Sequence, residues 1–105
     1  MTLPTENMHL NNQQIRKLKK QAHHLKPVVM VGQHGLSESV LNEIDIALDV
    51  HELIKVKLAG ADKTAREQIS SEIIVQQKAS LIQIIGRVAI FYRPNPDKKK
   101  NRIII

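Results

Sequence analysis

The chain has 105 residues, 42% of them hydrophobic, with 16 Lys and Arg against 10 Asp and Glu for a formal net charge of +6. That length supports one domain burying roughly two thirds of its unfolded surface. Cysteine is absent, which excludes a disulfide framework, a cysteine zinc site and a thiol nucleophile.

No run approaches the ~18 apolar residues of a membrane span, and Met1 to Glu6 lacks a basic start followed by an apolar stretch. A cytoplasmic protein with no membrane partner is expected. Residues 1–10 read as a flexible N-terminus. Ile15, Leu18, Ala22 and Leu25 then recur at helical spacing, with Asn11 or Asn12 as N-cap and Pro27 stopping the pattern. The rest of this helix is basic. A short strand follows, Val28 to Val31, and runs into Gly32-Gln33-His34-Gly35. Ser37 is the natural N-cap of a second helix with Val40, Leu41, Ile44, Ala47 and Leu48 on one side and acidic residues on the other.

From Leu53 to Leu58 the period becomes two, with Ile54, Val56 and Leu58 on one face and Lys55 and Lys57 on the other. Gly60 and Asp62 end that strand. A third helix runs from about Lys63 to Lys78, turning Ala65, Ile69, Ile73 and Ile74 inward. Two apolar runs, Leu81 to Ile85 and Val88 to Tyr92, flank Gly86-Arg87, which suits a two-residue hairpin with positive φ at its first central position. The fold class is therefore α/β (α+β): an N-terminal helix followed by βαβαββ, with a mixed four-stranded sheet, helices two and three on one face and helix one as the extra element. The domain occupies residues 11–93. Residues 94–105, with two prolines and a lysine run, read as a basic, disordered tail, and Ile103-Ile104-Ile105 has no evident role.

Strand, two-glycine loop and helix together build a phosphate cradle. The glycines remove the Cβ atoms that would hold a ligand's backbone away, and the helix start supplies N–H groups and the positive end of its dipole. The basic charge is segregated: Arg16, Lys17, Lys19, Lys20 and Lys26 lie within eleven residues free of acid, and Arg93, Lys98, Lys99, Lys100 and Arg102 crowd the C-terminus. Between Ser37 and Ser80 acids prevail. Such separation makes a directed surface for a polyanion. Glu43, Asp45, Asp49 and Glu52 form an acidic flank that repels a polyanion or faces a protein partner. The histidines show no metal-ligand spacing, the serines no nucleophile elbow, and the glycine loop no nucleotide-hydrolysing Lys-Ser/Thr ending. No enzyme, cofactor, metal or small-molecule substrate is implied.

Three blocks carry a resemblance: His24 through Val31 into Gly32-Gln33-His34-Gly35-Leu36, then His51-Glu52-Leu53-Ile54-Lys55-Val56-Lys57, then Ile85-Gly86-Arg87 through Phe91-Tyr92-Arg93-Pro94. In this order, over about residues 10 to 95, they resemble the CRM domain, particularly its bacterial stand-alone YhbY type. The resemblance implies an RNA-binding domain whose glycine loop serves as in KH domains, with a fold similar to the C-terminal domain of a bacterial translation initiation factor. It also implies an association with precursors of the large ribosomal subunit. Gln33 and His34 depart from a basic loop. The expected RNA-binding set is Gly32, Gln33, His34 and Gly35, with Arg16, Lys17, Lys19 and Lys20 on phosphates, Lys55 and Lys57 extending the surface, and Arg93. Phe91 and Tyr92, neighbours on one strand, point to opposite faces, so backbone clamping by a monomer is expected rather than a stacking platform. Two alternatives are a general nucleic-acid or polyanion-binding module, and a protein-interaction adaptor using the acidic face of helix two.

Overall fold

Each helix begins where a short polar side chain replaces a missing intrahelical partner. The computed structural model describes residues 10–32, 34–60, 62–98 and 103. In it, Asn11 caps α1 (Asn12–Ala22) through a reciprocal pair of bonds with Gln14, at 2.8 and 3.0 Å. Ser37 Oγ accepts from Val40 N at the start of α2 (Glu38–His51), and Asp62 Oδ1 accepts from Ala65 N at the start of α3 (Lys63–Gln77). Each cap contributes about 1 kcal/mol.

The strands are β1 (Pro27–Val31), β2 (Leu53–Leu58), β3 (Ser80–Ile85) and β4 (Val88–Tyr92), ordered β1-β2-β4-β3 in one sheet. β1 and β2 are parallel, as a helical crossover requires, and the other pairs are antiparallel. Gly86 takes φ +57° at the tip of the β3–β4 hairpin, the positive value expected from its place in the turn. The mixed α+β fold and its element order are those the sequence implies.

Alternation along the strands sends side chains into two cores. On one face Val29, Val31, Ile54, Val56, Leu58, Ala89 and Phe91 meet Ile44 and Leu48 of α2 and Ile73 of α3. On the other, Leu53, Ile82, Ile90 and Tyr92 meet Leu18 and Ala22 of α1, with Leu10 and Ile15 at the margin. An irregularity between Leu81 and Gln83 in β3 lets Ile82 join the α1 side while Leu81 and Ile84 pack on the other. The extra helix thus forms a third layer. It lies against β2 and β3 and leaves the β1 side of its face open, so that Val28 and Met30 are 49% and 59% exposed.

Beyond β4 the chain is tied to the body. Glu52, fully buried, caps α2 at φ +64°, and its carboxylate accepts Asn95 N at 2.7 Å and Ile103 N at 2.8 Å. Its backbone oxygen accepts Arg93 N at 2.8 Å. Ile103 packs beside the α1 core, which gives that residue a role the sequence does not suggest. Residues 1–9, 99–102 and 104–105, expected as flexible start and tail, lie outside the described residues.

Candidate nucleic-acid interface

The glycine loop leaves β1 at Val31, whose carbonyl accepts Ala59 N at 2.9 Å. Gly35 N donates to Gly32 O at 3.0 Å, closing a tight turn, and Gly35 sits at φ +70°. A Cβ built at Gly32 or at Gly35 would meet nothing within 4 Å. Packing therefore does not demand glycine at either place. Backbone geometry demands it at Gly35, whereas at Gly32 neither does. His34 is exposed; Gln33 lies outside the described residues. The loop opens onto the start of α2, where Glu38 is exposed in the first turn.

The cations of α1 divide by helical position. Arg16, Lys17 and Lys20 border an outward groove with Gln13, while Lys19 and Lys20 border a cleft against the sheet. All four are exposed, and Lys19 and Lys20 occupy the last turn, where positive charge suits the helix dipole. Lys55 reaches the same cleft from β2, its Nζ donating to Leu25 O at 3.0 Å. Lys57, exposed two residues on, pairs in register with Met30 of β1 and Val88 of β4. α1 covers the β2–β4–β3 side of the sheet, and the glycine loop follows β1 at the opposite edge. Lys55 and Lys57 stand on β2, the strand between β1 and β4.

Arg93 is not brought to these groups. Its guanidinium pairs with Asp45 at 3.0 Å and Asp49 at 2.9 Å, and donates to the backbone oxygens of Gln77 and Asp45, each at 3.0 Å. Its side chain is only 18% exposed. These contacts engage Asp45 and Asp49 of the expected acidic flank and Glu52 is buried, while Glu43 stands exposed. Arg87, by contrast, went unnoticed in the sequence because it reads only as a turn residue. It is exposed, and its backbone oxygen accepts Leu58 N at 2.6 Å, where Leu58 pairs with Val31. The hairpin tip and the glycine loop therefore share one end of the sheet. The signal available was the pairing of β4 with β2, which follows from topology and not from local pattern.

Among the described residues no set of three or more His, Cys, Asp or Glu side chains is placed to hold a metal, and no helix is long and apolar enough to cross a membrane. Phe91 and Tyr92 are buried, at 0% and 3% exposure, so neither serves as a stacking surface.

Comparison with known proteins gives a consistent grouping. A model of the CRS1/YhbY (CRM) domain matches residues 10–93. The chain is similar to an "RNA-binding protein" of Haemophilus influenzae, 49% identical over 86% of this chain and 91% of that one. It is also similar to a "Probable RNA-binding protein" of Pseudomonas aeruginosa, 46% identical over 90% of each chain. The solution structure of a hypothetical protein from Staphylococcus aureus superposes with a TM-score of 0.76 at 27% identity, covering 88% of this chain and 96% of that one.

Proposed function

We propose that this chain, which belongs to the CRS1/YhbY (CRM) domain family, is an RNA-binding protein that holds RNA backbone between its glycine loop and its basic helix. The observation that carries the reading is the cationic face itself. Lys19, Lys20 and Lys55 border one cleft, Arg16 and Lys17 line the outward side of the same helix, Lys57 alternates onto the same sheet face as Lys55, and at one end of that sheet an exposed loop has room for a close approach. Lysines on such a face bind phosphates as point charges, which gives affinity and salt dependence. Gly32 and Gly35 admit the sugar-phosphate chain to the start of α2, and His34 offers a hydrogen bond or a ring to a base.

The Haemophilus and Pseudomonas relatives carry RNA binding in their names, which supports RNA over DNA as the polyanion. The finer role proposed is that of an assembly factor on precursors of the large ribosomal subunit, acting by binding rather than catalysis in the cytoplasm. The adaptor alternative is weakened because Arg93 pairs with Asp45 and Asp49, offsetting one of their two charges, and Glu52 is buried. Two measurements test the reading. Competition between matched RNA and DNA at one salt concentration is expected to favour RNA, and equal competition would reduce the protein to a polyanion binder. Tagged protein is expected to sediment with large-subunit precursors in a gradient of cell extract; migration only with free protein would remove the ribosomal role.

A further inference from the structure

We propose that the cleft between α1 and the sheet is a receptor for a single unpaired nucleotide of the bound RNA, a proposal that rests on the RNA-binding reading above. The cleft has a volume of about 490 Å³, within the ~300–1,000 Å³ of small-ligand sites. Its chemistry is divided as a nucleotide is divided. Lys19 and Lys20 form one wall and Lys55 another, and among the described residues neither Lys19 nor Lys20 has an acidic partner. Lys55 spends one bond on Leu25 O and retains further donors. These ammonium groups suit the phosphate.

The apolar surface is that of Ile85, 56% exposed, with Ile90 buried behind it, and beside it stands Gln83 on the edge strand β3. The Gln83 side-chain amide makes no hydrogen bond within the described residues, so its donor and its acceptor are both left for a ligand. Such an amide beside an aliphatic surface reads a base edge while the base lies on Ile85. The mouth carries His23 and His24, exposed and in edge-to-face contact with ring centroids 5.5 Å apart. With Phe91 and Tyr92 buried, imidazoles are the rings available for stacking on this face. An acidic peptide would satisfy the lysines but leave the apolar floor, the amide and the rings without counterparts.

The test uses two fluorescent probes, a short single-stranded oligoadenylate and the same backbone with abasic riboses, titrated by anisotropy. The wild-type protein is expected to bind the base-bearing probe about tenfold more tightly. The double variant Gln83→Ala/Ile85→Ser changes no charge and alters only one half-buried and one exposed position on an edge strand. It is expected to keep its affinity for the abasic probe and to lose most of the preference, to within about twofold. Lys19→Gln/Lys20→Gln is expected to weaken both probes alike. Equal wild-type binding of the two probes, or a preference that survives in the Gln83/Ile85 variant, overturns the cleft and leaves RNA binding standing. A wild-type protein that binds neither probe nor any RNA overturns both.

Discussion

Replacing Arg93 with alanine separates a structural role from a ligand-binding one. The guanidinium ties α2, α3 and the end of β4 together through Asp45, Asp49 and the Gln77 carbonyl. Asp45 and Asp49 are 51% and 60% exposed at the side chain, so they regain water once released, and each pair contributes only about 0.2–1 kcal/mol. The part-buried carbonyl of Gln77, at the end of α3, loses a charged donor, which costs about 1–3 kcal/mol. With each pair at about 0.5 kcal/mol and the carbonyl at about 2 kcal/mol, the loss is about 3 kcal/mol, or about 12–24 °C in midpoint for a domain of this size. Urea and thermal unfolding followed by circular dichroism measure it, with RNA titration in parallel. The structure predicts a large drop in stability and RNA affinity unchanged below the unfolding range. An unmoved midpoint with RNA affinity reduced about tenfold would refute the reasoning and return Arg93 to the RNA-binding set.

Glu52→Ala removes the acceptor of both Asn95 N and Ile103 N and is expected to destabilise by about 2 kcal/mol, with faster proteolysis beyond Arg93; wild-type protease resistance would contradict it. Gly35→Ala places a side chain at φ +70° and is expected to cost about 1–2 kcal/mol, whereas Gly32→Ala, in open space without positive φ, stays within about 0.5 kcal/mol of wild type in urea. The charge-removing variant Lys19→Gln/Lys20→Gln is expected to lower the magnitude of the logarithmic salt slope for single-stranded RNA by about 1.4, and an unchanged slope would take these lysines off the phosphates.

Periodicity and punctuation made the element order legible. Period-two and helical patterns, Ser37 and Asn11 as caps and Gly86 as a hairpin glycine are local signals that the structure has where the pattern puts them, whereas α1 ends at Ala22, short of Leu25 and of the Pro27 that the pattern reads as its stop, and Pro27 instead opens β1. What depends on pairing across the chain was not legible. The pattern of α1 shows an apolar stripe but not which face of the sheet it covers. Arg93 looks like one more basic residue of the tail, since its partners Asp45 and Asp49 lie more than forty residues away. Glu52 reads as part of an acidic flank, yet it takes a positive φ at the end of α2 and turns its carboxylate inward to two backbone donors. Of the candidate site, the sequence supplied the loop and the lysines. The cleft joining Lys19 and Lys20 to Lys55, and the placement of Arg87 at the loop end, came from strand order.

The central claim is that the glycine loop contacts RNA, and a charge placed at Gly32 tests it most directly. Gly32→Asp and a control, Gln76→Asp on the exposed side of α3, add the same charge at different places, and both are titrated with a ribosomal RNA fragment and matched DNA across a salt series. The account predicts folded proteins in both cases, RNA affinity reduced at least about tenfold by Gly32→Asp, equivalent to about 1.4 kcal/mol, and a much smaller loss with the control. Equal losses from the two substitutions would contradict it, leaving a basic surface that attracts polyanions without a loop to hold them.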